Sequence, residues 1–222
     1  MIKKKIVAII PARGNSSRLK NKNLKKFNGY PLIHWTLKSA MKSNFIDKII
    51  VSSDSTKILK YCSKYSSVIL SKRPKNLSLN TTKIEKVITN EIKKNFLTKF
   101  DYFILLQPTS PLRTLKTIND SIQLTLNKKA STCVSFYKIK YNFLNIFKIN
   151  NLKILEVERN AKVSKKNNFF IPSGDIYISN IKQFIKDKTF ITKKTIPYII
   201  NNKYSDIDYL HEFKIAEKIQ KN

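Results

Sequence analysis

Apolar residues along the chain come in short runs separated by polar loops, and two kinds of spacing alternate. The segment 5–10 carries the uninterrupted run Ile6-Val7-Ala8-Ile9-Ile10, stopped by Pro11. Such a run suits a strand buried on both faces, because a half-exposed strand would alternate apolar with polar residues. Behind a polar loop, Pro31 opens a segment in which Ile33, Leu37, Ala40 and Met41 fall on one helical face. Ile49-Ile50-Val51 predicts a second buried strand, closed by Ser52-Ser53-Asp54. A helix over 55–65 and a short strand at Val68-Ile69-Leu70 follow, then a helical stripe of Ile84, Val87, Ile88 and Ile92. Residues 102–106 are a third long apolar run, ended by Gln107-Pro108, and 115–127 predict another helix.

Strand–helix alternation of this kind builds an α/β fold, a largely parallel sheet with helices on both sides. Ligands of such sheets bind beyond the carboxyl ends of the strands. The polar segments 11–23, 52–54 and 107–113 each follow a strand, so they are expected to meet at one rim. Residues 142–168 break the pattern, being polar, rich in Lys and Asn and weakly periodic, and predict an excursion from the sheet. Regularity returns with a strand over 175–179 and an amphipathic closing helix over 210–219, and no internal repeat is present.

A length of 222 residues with 41% apolar content fits one domain with at most a small extension. A chain of this size buries about 70–75% of its unfolded surface, so it needs no metal or disulfide staple. Cys62 and Cys133 form no disulfide framework and no metal-ligand spacing, which points to a reducing, cytoplasmic setting. No apolar run reaches the ~18–20 residues of a membrane span. The start, Lys3-Lys4-Lys5 before an apolar run, imitates a signal peptide, but Pro11 and Arg13 end the run too early.

Lys and Arg number 44 against 14 Asp and Glu, a formal net charge of +30. Such a field attracts nucleic acid, nucleotides or an acidic membrane face. The lysines are scattered, without a basic tail, and Lys, Asn and Ile are abundant throughout, as composition bias would produce. The charge therefore permits an anionic ligand without specifying one, and no specific nucleic acid partner is expected.

Three segments carry chemistry. The loop Pro11-Ala12-Arg13-Gly14-Asn15-Ser16-Ser17-Arg18-Leu19-Lys20-Asn21-Lys22-Asn23 combines small residues with cations. Its backbone N–H groups can turn around an anion while Arg and Lys supply charge. It lacks the Gly-Lys-Ser/Thr ending of a Walker A loop. In Gln107-Pro108-Thr109-Ser110-Pro111-Leu112-Arg113-Thr114 two prolines stiffen the backbone on either side of two hydroxyl residues. Near the end, Asp206 and Asp208 stand at i and i+2, on one side of an extended segment. That pair suits one hard cation, and Asp208 equally suits a helix N-cap.

These motifs resemble, in order and spacing, the acylneuraminate cytidylyltransferases and their legionaminate-, pseudaminate- and Kdo-activating relatives. The residues concerned are Ile10-Pro11-Ala12-Arg13-Gly14-Asn15-Ser16, Lys22-Asn23, Val51-Ser52-Ser53-Asp54, Lys72-Arg73-Pro74, residues 105–114, Gly174-Asp175-Ile176-Tyr177-Ile178 and Asp206-Ile207-Asp208. The resemblance implies a three-layer α/β/α nucleotidyltransferase fold in a homodimer, with an extension over about 138–170 reaching across the partner subunit. It implies transfer of CMP from CTP to the anomeric hydroxyl of a nonulosonic (sialic-acid-like) sugar acid, with release of pyrophosphate. A related nucleotidyltransferase with a different acceptor, such as Kdo or an unusual carbohydrate, is the alternative, and a basic nucleic-acid-binding protein the alternative of another class.

By the same resemblance Ala12, Arg13, Asn15, Ser16, Lys22, Asn23 and Arg73 bind the nucleotide. Arg13 and Lys22 answer the charge that builds on the α-phosphate, and Arg73 helps hold the base or ribose. Gln107, Thr109, Ser110 and Tyr177 fall at sugar-binding positions, and Asp206 and Asp208 at the Mg2+ (or Mn2+) site, with Asp208 or a metal-bound hydroxide as base. Two departures stand out. The family loop often continues Lys-Gly where this chain has Ser17-Arg18, and Arg18 is placed to supply the missing charge. The common Asn-Gly-Ala reads Ser173-Gly174-Asp175, bringing an unexpected carboxylate, while a cation for the sugar carboxylate is left to Arg159, Lys162, Lys165 or Lys166. His34 and His211 are expected to pack or face solvent.

Overall fold

Alternate residues of the first strand, β1 (Ile6–Pro11), point into two different cores. The computed structural model describes residues 3–139, 147–150, 153–156, 169–200 and 206–221. The hairpin strands β2 (Lys26–Phe27) and β3 (Tyr30–Pro31) precede helix α1 (Leu32–Met41). Then come β4 (Lys48–Ser53), α2 (Thr56–Cys62), β5 (Val68–Lys72), α3 (Ile84–Lys94), β6 (Tyr102–Leu105) and α4 (Leu115–Asn127). The second half holds β7 (Thr132–Ile139), β8 (Phe147–Asn150), β9 (Lys153–Glu156), β10 (Phe169–Asn180), α5 (Ile181–Asp187), β11 (Ile196–Ile199) and α6 (Leu210–Lys221).

Seven strands form one sheet in the order β11-β7-β10-β6-β1-β4-β5. β5, β4, β1 and β6 pair in parallel, as do β7 and β11, whereas β10 runs antiparallel to both of its neighbours. Strand order reverses at β1: the chain winds outward through β4 and β5, then crosses back to place β6 on the other side. A crevice therefore opens beyond the carboxyl ends of β1 and β6, where the helices on either side diverge. β8 and β9 pair with each other as a separate antiparallel ribbon. The expected excursion over 142–168, and with it Arg159, Lys162, Lys165 and Lys166, otherwise lies outside the described residues.

Ile6, Ala8 and Ile10 face a core completed by Ile33 and Leu37 of α1, Ile58 and Cys62 of α2, and Ile118 and Ile122 of α4. Val7 and Ile9 face the opposite core, with Ile88 and Ile92 of α3 and Phe184 of α5. The uninterrupted apolar run in β1 is thus explained by helices on both sides, and the architecture is the expected three-layer α/β/α arrangement. A third cluster joins the first loop to the last helix: Leu19, Phe27 and Leu32 pack with Ile207, Phe213 and Ala216. Both cysteines are free and buried. No helix among the described residues is long and apolar enough to cross a membrane.

The expected helix over 55–65 is shorter, ending at Cys62, with Ser55 as its N-cap accepting from the Ile58 N–H at 3.4 Å. The expected strand over 175–179 is the middle of the 12-residue β10, which is broken by a register shift between Pro172 and Tyr177. Gly174 sits in that break at φ +81°, a conformation that side chains with a Cβ avoid.

Candidate active site

The loop after β1, the segment after β5, the loop after β6 and the stretch before α6 enclose a cavity of about 300 Å³. Arg13, Ser16, Arg18, Lys22, Asn23, Arg73, Gln107, Thr109, Asp206 and Asp208 all line it. The first and third strand-end loops and the acidic pair named from sequence therefore share one cleft, whereas Ser52, Ser53 and Asp54 lie outside its lining.

The first loop is held in place by its own backbone. Ala12 N–H donates to the Ser52 carbonyl at 2.9 Å, Gly14 N–H to Asp54 Oδ1 at 2.8 Å, and Asn23 Nδ2 to the Arg13 carbonyl at 2.9 Å. A Cβ on Gly14 would stand 2.8 Å from Ser55 Cβ, so the loop can lie against α2 only with glycine there. Ala12 is fully buried and acts through the backbone, and Asn15 is exposed outside the cavity lining. Arg13 reaches across the cleft, its Nη1 donating to Asn80 Oδ1.

Lys22 is only 8% exposed. Its Nζ donates to the Ile207 carbonyl at 2.6 Å and to Asp208 Oδ1 at 2.9 Å. The other oxygen, Asp208 Oδ2, pairs with Arg18 at 2.8 Å, and the Arg18 guanidinium lies 5.5 Å from the Tyr209 ring centre. Asp208 does not cap α6. Glu212 does so, its Oε2 accepting from the Asp208 and Tyr209 N–H groups at 2.6 and 2.8 Å, the reach-back of a capping box. The Asp208 carboxylate is thereby released to the cleft. Arg18, at the family's departure point, brings a cation to the same carboxylate.

Asp206 is pushed above the ordinary carboxylate range, first by burial and then by the nearby Asp208 charge. Mutual repulsion of this kind is what a cation placed between two carboxylates relieves. Gly174 lies against Asp206: a Cβ there would sit 3.5 Å from Oδ2, an ordinary contact, so glycine is required by its φ of +81° and not by space. Among the described residues no cluster of three or more His, Cys, Asp or Glu side chains could cage a metal by itself. The donor set therefore fits a hard cation that takes one or two carboxylates and completes its shell with ligand oxygens and water. The Thr109 and Ser110 hydroxyls are buried beside the Asp206 and Asp175 carboxyls, and each opposes the effect of burial on its neighbour.

Arg113, 5% exposed, braces the third loop from behind. It donates to the Gln107 carbonyl at 3.2 and 3.1 Å, to the Asp175 carbonyl at 2.8 Å and to Thr36 Oγ1 at 2.8 Å. Burial holds its guanidinium down to about 10, against the pull of the Asp175 charge. Asp175 itself is buried outside the cavity lining and raised by that burial, with Arg113 opposing. Ser110 is buried next to the cleft but outside its lining. Tyr177 packs its ring 5.1 Å from that of Phe190 in the core beside α5, and burial raises its hydroxyl to about 12. Sequence reasoning passed over Leu77, Asn80, Thr82 and Val87, which form the cavity's far wall. For Leu77, Asn80 and Thr82 the signal that could have found them is their position after β5, whereas Val87 lies on α3 and was read only as part of its apolar stripe.

A mostly parallel sheet with a basic loop, a proline-braced loop and an acidic couple at one edge defines a nucleotidyltransferase of the α/β/α class. The solved structure of CMP:2-keto-3-deoxy-manno-octonic acid synthetase complexed with CTP has the same fold, with TM-score 0.71 at 15% identity over 98% of this chain and 99% of that one. The family profile described as Cytidylyltransferase matches residues 7–218, and the chain belongs to that family. It is 30% identical to the CMP-N,N'-diacetyllegionaminic acid synthase of Legionella pneumophila, over 97% of this chain and 96% of that protein. It is 29% identical to the N-acylneuraminate cytidylyltransferase of Escherichia coli over 97% of this chain, which spans about half (52%) of that longer protein.

Proposed function

We propose that the protein transfers CMP from CTP to the anomeric hydroxyl of a nonulosonic sugar acid, releasing pyrophosphate, with Mg2+ held by Asp206 and Asp208. The observation that carries this reading is the convergence of Arg13, Arg18 and Lys22 with the Asp206/Asp208 pair in one cavity. Relatives named for legionaminic and neuraminic acid support the acceptor class.

The chemistry follows from the charges. Attack by an oxygen nucleophile builds negative charge on the α-phosphate, and preorganised cations answer that charge without reorganising at the moment of reaction. Lys22 is the best placed, because burial and its bond to the Ile207 carbonyl fix its Nζ. Arg13 and Arg18 reach the same space from the more exposed side of the loop. Mg2+, when bound, would neutralise phosphate oxygens and favour departure of pyrophosphate. Thr109 and Gln107 line the wall where the acceptor would enter. Two buried free thiols and a nucleoside triphosphate substrate fit a cytoplasmic enzyme, and by family resemblance it works as a homodimer whose extension covers the partner's site.

The test is product analysis by mass after incubation with CTP, Mg2+ and a panel of nonulosonic acids and Kdo. Formation of the CMP adduct of a nonulosonic acid, lost on chelation of the metal, is the expected result. Turnover confined to Kdo would move the acceptor assignment, and no adduct with any sugar acid would end it.

A further inference from the structure

The most deeply buried acidic side chain among the described residues is Glu91, on α3, with no exposed surface. A carboxylate taken wholly out of water is a net cost unless its oxygens are hydrogen-bonded and a cation is near. Both conditions are met through a single serine. Ser52 Oγ donates to Glu91 Oε1 at 2.7 Å and accepts from Arg73 Nε at 3.0 Å. Asn95 Nδ2 occupies the other oxygen, Glu91 Oε2, at 2.8 Å.

The direction of these bonds matters. A serine hydroxyl has one proton, so giving it to Glu91 turns the oxygen lone pairs toward Arg73. Arg73 Nη2 then donates to the Ser52 carbonyl at 2.7 Å, and Arg73 N–H to the Ser53 carbonyl at 2.8 Å. Two of the three guanidinium nitrogens are thus committed to one residue, which fixes the plane of the group. Arg73 nevertheless lines the cavity, so Nη1 is the nitrogen left to meet a ligand.

We infer that Glu91 is a positioning residue for the nucleotide, orienting the Arg73 guanidinium through the Ser52 hydroxyl. This rests on the reading of the cavity as a CTP site. Glu91 touches no ligand-facing space itself and lies outside the cavity lining. It sets which way Ser52 points and supplies the charge that keeps a buried arginine in place. Loss of a fixed contact made equally in ground and transition states raises KM and leaves kcat alone.

The experiment measures CTP binding by calorimetry, and steady-state kinetics in both substrates, for the wild type, Glu91→Gln, Glu91→Leu, Arg73→Met and the double variant Arg73→Met/Glu91→Gln. Loss of one charge-assisted hydrogen bond corresponds to about tenfold in affinity. Glu91→Leu is therefore expected to raise Kd and KM for CTP by about tenfold, with kcat and the sugar-acid KM within about twofold. The isosteric Glu91→Gln keeps the packing and is expected to show a smaller shift of the same kind. In the Arg73→Met background, Glu91→Gln is expected to add less than about twofold, because the residue it acts through is gone. Unchanged CTP affinity in both Glu91 variants would overturn the inference. So would a Glu91→Gln penalty that persists in full beside Arg73→Met, or equal losses in kcat and both KM values, the mark of a purely structural role. Failure of the wild type to bind CTP would instead bring down the reading of the cavity, and this inference with it.

Discussion

Lys22 and Asp208 stand 186 positions apart in sequence and meet at 2.9 Å. The lysine is nearly buried, while the aspartate side chain keeps 30% of its surface and shares its second oxygen with Arg18. The pair joins the first loop to the segment before the last helix, and with Arg18 it gathers one carboxylate and two cations at one point.

Asp208→Ala removes the shared carboxylate while leaving the Lys22 bond to the Ile207 carbonyl. Mg2+-supported pyrophosphate release is expected to fall by about two to three orders of magnitude. Far-ultraviolet circular dichroism should be unchanged, because Glu212 and not Asp208 caps α6. Near-wild-type rates in this variant would put the metal site elsewhere.

Arg113→Met keeps volume but strips the donors from the Gln107 and Asp175 carbonyls and from Thr36. It also leaves the buried Asp175 carboxyl without its facing cation. A loss of about 3 kcal/mol is expected, read as a lower urea midpoint at unchanged slope. The sugar-acid KM should rise as the Gln107–Thr109 loop loosens; a stability change within about 0.5 kcal/mol would contradict the bracing role.

Gly174→Ala forces a Cβ onto a residue at φ +81°. The new methyl meets Asp206 Oδ2 at an ordinary 3.5 Å, so the cost is conformational and not one of overlap. About 1–2 kcal/mol of stability is expected to be lost. Turnover should fall more than CTP affinity, since the strained turn lies under Asp206 and away from Arg73. Equal stability of the variant and wild type in thermal unfolding would refute the strain.

His34 stacks 4.4 Å from the Tyr30 ring and bonds through Nδ1 to the Tyr65 hydroxyl at 2.8 Å. Burial, and then the Lys38 cation, hold its ring below the ordinary imidazole value. The unfolded chain therefore takes up this proton first as pH falls. Stability owed to neutral His34 is complete above about 6.5 and drains away as pH drops from there through the folded value. His34→Phe should flatten that part of the stability–pH curve, measured by urea unfolding at a series of pH values. A slope unchanged by the substitution would assign it to other groups.

What the sequence disclosed followed the strength of local signals. The helix over 115–127 was legible end to end, because a Thr114 cap, accepting from Thr117 N–H at 3.1 Å, precedes a periodic stripe. The rim loops were legible because each follows an uninterrupted apolar run. α5 is only seven residues long, and β11 alternates half-buried with exposed positions around Pro197, so neither offers a period long enough to read. Tyr177 shows the limit at the site: its motif position suggested the sugar, whereas its ring lies against Phe190, a contact set by the register of β10. Glu91 had left a trace, since it continues the stripe Ile84, Val87, Ile88 and Ile92 as a carboxylate on an apolar helix face. Only the folded sheet, by setting Ser52 beside it, gives that trace a meaning.

The Lys22–Asp208 contact also makes the first loop depend on the last segment of the chain. A ribosome making this chain translates all seven strands of the sheet before it reaches the two aspartates that answer the cationic loop. Until residue 208 is made, Lys22 and Arg18 lack the carboxylate that they share in the folded protein. The packing of Ile207 and Phe213 against Leu19, Phe27 and Leu32 therefore ties the neutralisation of the first loop to the seating of α6.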